Sequence, residues 1–212
     1  MGWAAAFSAL LCICCGEPPA VRHSSMRDEL LRRAQADQEV RRAGIEWMNK
    51  FGRDAAGRND LGKESLAAQK QVMARIKAVD EKNTTWLKAT VREHGWPTIS
   101  MIGRDAAHSA WLLVQHADAD PGFQRRCLDL MMRLPNEEVL RNKFPYLIDR
   151  VLLAEGRKQR YGTQFTNRDG KWVPRPLENE AGVDRRRAEF GLPPLAEYVE
   201  QLESMYGKAA PK

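Results

Sequence analysis

The segment from Arg104 to Ala117 constrains the fold most, because its pattern is strongly helical and it is apolar on most sides. Its apolar side chains are Ala106, Ala107, Ala110, Trp111, Leu112, Leu113 and Val114. A surface helix carries polar residues on one face, so a helix this apolar has to be covered by other elements. The sequence therefore predicts a central helix with the rest of the chain packed around it.

Helical periodicity also marks the chain that precedes this segment. It predicts a helix from Ser25 to about Lys50, a loop from Arg53 to Gly62, and a second helix from Lys63 to about Lys82. Asn83 or Thr84 is expected to cap a third helix, since both side chains can accept a hydrogen bond from a free backbone N–H. Gly95-Trp96-Pro97 is expected to end it in a packed corner.

The chain that follows the central segment is predicted to form shorter helices. Asp120-Pro121 combines a capping carboxylate with a proline suited to the first turn, and the helix it starts is expected to bury Met132. Asn136 is predicted to cap a helical region that reaches Glu155, interrupted at Pro145. Asp184 is expected to cap a short helix, and Pro193-Pro194 to precede a terminal one.

One segment in the C-terminal third has a different character. Asp169-Gly170 lies between aromatic and β-branched residues, a pattern typical of a β-hairpin turn. Regular heptads are absent, so a coiled coil is not predicted. The predicted fold class is all-α, mainly an irregular helical array, with a small β-hairpin near the C-terminal third.

The N-terminal twenty residues differ from the rest of the chain. Residues 3–13 form an uncharged apolar run, too short to span a membrane but suited to a signal peptide. Cys15-Gly16 resembles a lipoprotein cleavage site, which would anchor the protein to a membrane through Cys15. We expect a leader at residues 1–20, a single helical domain at 21–212 and an exported protein; the alternative is a cytoplasmic protein with an N-terminal tail.

The charge distribution and the cysteine count bear on which partners and which cross-links the protein can have. The formal net charge is +6, but basic residues alternate with acidic ones, so binding of nucleic acid is not expected. The densest basic run, Arg185 to Arg187, is interpreted as solvated surface. Loss of the leader would leave Cys127 as the only thiol, expected to be buried, which excludes an intramolecular disulfide.

Several short polar motifs resemble one known family. They are Gln115-His116-Ala117-Asp118, Asp149-Arg150-Val151, and the string from Gly156 to Gln164, with Asp37-Gln38, Arg41, Gly95-Trp96-Pro97, residues 183–187 and 192–195 around them. Together they are similar to DUF6624, an uncharacterised bacterial family, over about residues 37–198. The resemblance implies that these residues belong to a shared pattern, and it implies no activity.

His116 is the residue best suited to chemistry, because an imidazole can act as acid, base or metal ligand near neutral pH. Asp37 or Asp149 would orient it or act as the acid. The alternative is a helix-end histidine stabilised by the helix dipole. His116 with Asp118 and Asp120 could be offered as a metal site, but Asp120 already serves as a cap, so neither a metal nor a cofactor is predicted.

Amide side chains form the second candidate group. Gln is rarely buried without a hydrogen bond, so the amides could line a pocket for a small polar ligand or form an internal network. Asp37 and Arg41 lie four residues apart, as in a helix-surface ion pair, or as a polar anchor if they face inward. The predicted ligand-binding residues are Gln38, Arg41, Gln115, Gln124, Arg150, Gln159, Tyr161 and Gln164.

Three functions remain open on this pattern. The first is non-catalytic binding of a small polar ligand in a cleft between the helix that ends at His116 and the segment from Gln159 to Gln164. The second is a hydrolase with His116 as general base. The third is a structural or interaction module in which all these groups bond to one another. No nucleophile-elbow motif or phosphate-binding loop is present, which weighs against many enzyme classes.

Overall fold

The computed structural model describes residues 22–51, 63–168 and 171–206. The predicted leader, the predicted loop at residues 53–62 and the turn at Asp169-Gly170 lie outside these ranges. Within the described ranges, no helix combines the length and the apolarity that a membrane span requires.

Helices account for most of the described chain, and a two-stranded antiparallel hairpin follows them, which confirms the predicted fold class. The helices are α1 (Ser24–Phe51), α2 (Lys63–His94), α3 (Ile99–Ile102), α4 (Arg104–Gln115), α5 (Pro121–Met132), α6 (Phe144–Ala154), α7 (Val183–Ala188) and α8 (Leu195–Tyr206). Two 3-10 turns, Asn136–Glu138 and Arg141–Lys143, precede α6, and the strands are β1 (Phe165–Arg168) and β2 (Lys171–Pro174).

Helix α4 is the centre of the fold, as its apolar surface predicts. It contacts α1, α2, α3, α5 and α6. Its apolar side chains are buried except for Leu112, which is half-buried. The largest fully buried apolar side chains around it are Leu30, Leu87, Ile102, Leu128 and Leu147, which come from five different parts of the chain. The end of α4 is therefore held rigidly among its neighbours.

The predicted helix break at Asn83 or Thr84 is wrong, because α2 runs without interruption from Lys63 to His94. Asn83 is buried, and its Oδ1 accepts a hydrogen bond from Nη1 of Arg33 on α1 at 3.2 Å. Its side chain makes a tertiary contact and does not cap a helix. Leu87 and Thr90 continue the buried side of α2 beyond it.

Three smaller predictions also differ from the structure. Pro145 does not interrupt a helix; it lies in the first turn of α6, where its missing N–H costs no hydrogen bond. Asp184 does not cap α7, whose N-cap is Gly182; its carboxylate instead accepts a hydrogen bond from the backbone N–H of Leu195. Met132 is 60% exposed, because it lies on the outer side of α5.

Cys127 is fully buried on α5, and burial raises the pKa of its thiol to about 12. A thiol reacts as the thiolate, so we expect Cys127 to be inert in the folded protein at neutral pH. Ellman's reagent should label equal numbers of thiols in the native wild-type chain and in Cys127→Ala. In guanidinium chloride the wild-type chain should show one more; an extra labelled thiol under native conditions would contradict the burial.

Candidate functional site

The end of α4 brings His116 against a carboxylate on α1. His116 is the C-cap of α4, and its Nδ1 lies 2.9 Å and 3.0 Å from the two carboxylate oxygens of Asp37. Asp37 is fully buried, whereas 17% of the His116 side chain is exposed. The packing of α1 against α4 creates this contact, so the carboxylate is held in place on the protein side of the imidazole.

The contacts of Asp37 determine which nitrogen of His116 carries the proton. Burial opposes ionisation of Asp37, but the hydrogen bond and charge of His116 and the charge of Arg41 lower its pKa overall. Two groups face Nδ1, because Nε of Arg41 lies 3.0 Å from it as well. Arg41 Nε has Oδ1 of Asp37 as another acceptor at 3.2 Å, whereas an ionised carboxylate at 2.9 Å would repel a lone pair on Nδ1, so we assign the proton to Nδ1, which then donates to Asp37. Within the part of the chain that the structure describes, Nε2 makes no hydrogen bond.

Arg41 joins the pair to a second acidic group. Its Nε lies 3.2 Å from Oδ1 of Asp37, and its Nη2 donates to Oδ1 of Asp80 on α2 at 2.5 Å. Gln38 donates from Nε2 to Oδ2 of Asp37 at 2.9 Å. The pair at positions 37 and 41 therefore faces inward as a polar anchor, and is not a surface ion pair. We call Asp37, Arg41, Asp80 and His116 the His116 cluster.

The two carboxyl groups of the His116 cluster have opposite electrostatic environments. The pKa of Asp37 is lowered, whereas burial raises the pKa of Asp80 and the charge of Arg41 opposes this only in part. Divergent pKa values in neighbouring carboxyl groups are typical of acid–base sites, where one group stays ionised while the other holds a proton. Asp80 is therefore the more readily protonated of the two carboxyl groups.

Sequence reasoning missed Asp80, although a signal for it exists. Asn83, Leu87 and Thr90 are buried on α2, at spacings of four and three residues. Asp80 lies one step earlier on the same helical side, three residues before Asn83. A carboxylate in line with the buried side of an amphipathic helix needs a partner, and that signal was lost when the helix was expected to end near residue 82.

The same groups could also hold a cation. Asp37, Asp80 and His116 each offer one ligand atom, and these atoms lie within 4.8 Å of one another. In the structure the guanidinium of Arg41 contacts all three residues, so it already supplies positive charge where a metal ion would bind. A metal ion could occupy this position only if Arg41 moved away.

We expect Arg41→Ala to convert the cluster into a divalent-metal site. Removing the guanidinium leaves two carboxylates and an imidazole without a compensating cation, and the attraction between charges 4 Å apart amounts to about 4 kcal/mol near a protein surface. Zn²⁺ measured by isothermal titration calorimetry should bind Arg41→Ala at least about tenfold more tightly than wild type. Arg42→Ala, at the exposed neighbouring position, should change nothing. Equal affinities for wild type and Arg41→Ala would contradict the role given to Arg41.

A cleft of about 400 Å³ opens beside the cluster. His116 and Asp80 line it, together with Ile76 and Met73 of α2 and the start of the segment that follows α4. The rest of its polar wall comes from α2, through Lys77, Glu81, Thr84, Thr85 and Lys88. Since Asp37 holds Nδ1, the free Nε2 is the atom that His116 can present to a molecule in the cleft.

Asp149, by contrast, belongs to a structural anchor elsewhere in the fold. Its fully buried carboxylate accepts hydrogen bonds from the backbone N–H groups of Arg160, Tyr161 and Thr163 and from Oγ1 of Thr163, at 2.7 to 3.0 Å. Burial raises its pKa, although these donors oppose the shift. No described contact joins Asp149 to His116, so the expectation that Asp149 orients His116 is not supported.

Gln159 and Gln164 also serve the segment that Asp149 anchors. Gln159 donates from Nε2 to the carbonyls of Gln164 and Arg175, at 3.0 Å and 2.6 Å, and its Oε1 accepts from the N–H of Gln164. Gln164 donates its own amide to Oγ1 of Thr163 at 3.2 Å. These amides tie the chain before β1 to the chain after β2. They form an internal hydrogen-bond network, which was the alternative to a ligand pocket.

Tyr161 and Arg187 complete this anchor. The ring of Tyr161 is buried edge-on against Phe190, with the ring centroids 5.4 Å apart. Arg187 is fully buried, contrary to the expectation of a solvated basic run, and it donates to the carbonyls of Tyr161 and Pro193 at 2.7 Å and 2.6 Å. Gly162 has φ of +65°, and an added Cβ would lie 2.9 Å from Leu195, so the turn accepts only glycine without strain.

Three of the predicted residues, Gln124, Arg150 and Gln164, line a small polar cavity of about 250 Å³ on the other side of Asp118. Arg150 donates from Nη1 to both carboxylate oxygens of Asp118 at 2.7 Å. The buried amide of Gln124 bonds to the carbonyls of Val114 and Gln115, and Gln115 donates weakly to Tyr146 at 3.4 Å. The residues predicted to line one cleft therefore lie in two separate places, and Asp118 lines both openings.

The elements described so far define a helical protein with a small hairpin and a histidine–carboxylate pair at the end of its central helix. The sequence matches the model of DUF6624, a family of unknown function, over residues 24–210, and the chain belongs to this family. The resemblance expected from the polar motifs is thereby confirmed. Comparisons with curated proteins and with solved structures give no match.

Proposed function

We propose that this protein is a hydrolase-type enzyme in which His116 is the general base. The observation that carries the proposal is the contact between Nδ1 of His116 and the buried carboxylate of Asp37, which leaves Nε2 free at a cleft. This is the arrangement in which a carboxylate fixes the tautomer of a catalytic histidine and stabilises the imidazolium that forms during reaction. Asp37 is thus a positioning residue.

The other members of the His116 cluster supply the rest of the acid–base chemistry. In the reaction, Nε2 takes a proton from a water molecule in the cleft, and the water oxygen attacks the substrate. That proton then passes from Nε2 to the leaving group; Asp80, the more readily protonated of the two carboxyl groups, lines the same cleft and is the alternative proton donor, in which case Nε2 returns its proton to Asp80. Arg41 keeps the two carboxylates in place through its contacts with both.

Non-catalytic binding of a polar ligand is the second candidate, and one observation favours it. The cavity at Asp118 is lined by Arg150, Gln124, Gln164 and Arg175, so it offers guanidinium and amide groups to a small polar molecule. Most of the predicted ligand-binding amides, however, already bond to the backbone. That engagement leaves fewer groups for a ligand, and it is why we place catalysis first.

The test is a panel of chromogenic esters, amides, phosphodiesters and glycosides assayed with wild type and His116→Ala. Turnover that disappears in His116→Ala, while the variant keeps the far-ultraviolet circular dichroism of wild type, supports the proposal. A suitable control is His94→Ala, because His94 lies at the end of α2, where its ring contacts His23. Turnover unchanged by His116→Ala would refute the proposal, and loss of stability without any turnover would favour a structural module.

A further inference from the structure

A second opening lies next to the cleft beside the His116 cluster, and two residues of α2 line both. The second opening, of about 320 Å³, lies between α1 and α2 and is lined by Arg41, Gly44 and Trp47, among others. Both openings share Met73 and Ile76, so these side chains lie at the junction. We call the two openings together the α1–α2 groove. Arg41 lines one half of it, and Asp80 and His116 line the other.

The half of the groove between α1 and α2 has a mainly apolar wall, whereas the half at His116 is lined mostly by polar and charged side chains. The main apolar side chains of the groove are Ile45, Trp47, Val72, Met73, Ile76 and Ala117. Met73 is 57% exposed, and Leu66, two helical turns earlier on the same side of α2, is 49% exposed. An exposed Met73 beside an apolar opening and a polar cluster indicates a surface that binds an apolar group.

Gly44 keeps the floor of the groove open. A Cβ at this position would lie 3.4 Å from Cδ1 of Ile76 and 3.7 Å from Cγ1 of Val72. Both distances are those of ordinary van der Waals contacts, so alanine would fit at this position and only a larger side chain would fill the floor of the groove.

We propose that the substrate is an ester with an unbranched acyl chain, which lies in the α1–α2 groove with its carbonyl beside His116. This inference rests on the proposed hydrolase function and names the substrate class for the same site. The attacking water oxygen bonds to the carbonyl carbon while Nε2 takes the water proton. The bond between the carbonyl carbon and the ester oxygen breaks, the leaving alkoxide receives the proton, and an acid and an alcohol are released.

The first measurement is the hydrolysis of 4-nitrophenyl acetate, butyrate, hexanoate and octanoate. Each CH₂ that enters the groove should raise kcat/KM about two- to fourfold, as expected for a methylene removed from water. Met73→Glu places a charge at the junction of the two halves and should flatten this dependence. Met132→Glu is the matched control, because Met132 is equally exposed but lies on α5 outside the groove. A flat dependence in wild type, with turnover still requiring His116, overturns the substrate class and leaves the hydrolase standing.

The second measurement separates binding from catalysis. A fluorescent fatty acid, dansylaminoundecanoate, should bind both wild type and His116→Ala, and should bind Met73→Glu and Gly44→Val at least about tenfold more weakly, the loss of two or more methylene contacts. Such binding without turnover of any ester would refute the catalytic step and leave only the groove. The proposal would be overturned if the fatty acid did not bind and sedimentation velocity showed a wild-type dimer that Met73→Glu dissociates. The groove would then be an interface between two copies of the chain.

The acyl chain could come from a soluble ester or from a membrane phospholipid. Phosphatidylcholine vesicles assayed for released fatty acid distinguish these sources. If Met73→Glu lowers the rate of fatty-acid release and Met132→Glu does not, the groove binds the acyl chains of lipids. Turnover confined to the soluble esters would assign it to soluble substrates; either result supports an acyl ester as the substrate.

Discussion

Replacing His116 by alanine is expected to lower kcat/KM by about two to four orders of magnitude, the range typical of a lost general base. The loss should appear in kcat, because His116 acts on the proton that moves in the transition state. Stability should fall by about 1–3 kcal/mol, because Asp37 is fully buried and loses its His116 partner, while Arg41 and Gln38 keep the carboxylate partly paired. Steady-state kinetics on the best ester, together with thermal unfolding of the same samples, measures both effects.

Asp37→Asn separates the positioning role from a purely structural one. It should lower kcat, because an amide can accept from Nδ1 but cannot stabilise the imidazolium as a carboxylate does. Since the pKa of Asp37 is lowered on folding, the ionised carboxylate stabilises the protein above its unfolded pKa near 4, and this contribution is lost as pH falls through the folded value. The stability gap between wild type and Asp37→Asn should therefore close in acid. A gap that persists in acid would contradict this account.

Local patterns were sufficient to predict most of the fold. Asp120 accepts from the N–H of Phe123 and Pro121 opens α5, as capping chemistry requires, and the wide apolar surface of α4 marks it as central. The break expected at Asn83 failed because an Asn that can cap a helix can equally bond across to another helix. Here Asn83 bonds to Arg33 on α1, and a contact between residues 50 positions apart cannot be read from a local pattern.

The site was predictable in its parts but not in its grouping. His116 and Asp37 were singled out by residue type, yet 79 positions separate them, and only the packing of α1 on α4 brings them within 2.9 Å. The Gln residues illustrate the opposite case. An amide suits a ligand pocket and an internal network equally well. Gln159 belongs to the network because its partners, the carbonyls of Gln164 and Arg175, lie beside it, and only the folded structure shows this.

Two carboxylates in the described part of the chain are fully buried, and their partners give them different uses. Asp37 meets an imidazole and a guanidinium at the edge of a cleft, so its charge can act on a group that reaches a bound molecule. Asp149 meets three backbone N–H groups and the hydroxyl of Thr163, and these contacts anchor the segment before β1. Burial alone therefore does not identify a catalytic carboxylate; what matters is whether its partners touch an opening.

Asp149→Asn is expected to destabilise the fold by about 2–4 kcal/mol, because it puts an NH₂ group among donors that need an acceptor. Oδ2 of Asp149 accepts from both the N–H and the Oγ1 of Thr163, so one orientation of the amide leaves these donors unpaired, and the other strands Arg160 and Tyr161. For a chain of this size the midpoint of thermal unfolding should fall by about 5–15 °C.

The matched control for Asp149→Asn is Asp28→Asn, which removes the same charge at an exposed position and should shift the midpoint by less than about 1 °C. Amide hydrogen exchange locates the effect more sharply than the midpoint does. Protection should drop at the backbone N–H groups of Arg160, Tyr161 and Thr163, while those of α4 keep theirs until global unfolding. If Asp149→Asn unfolds at the wild-type midpoint with these amides still protected, Asp149 does not anchor the segment before β1, and its burial beside those donors has to serve some other purpose.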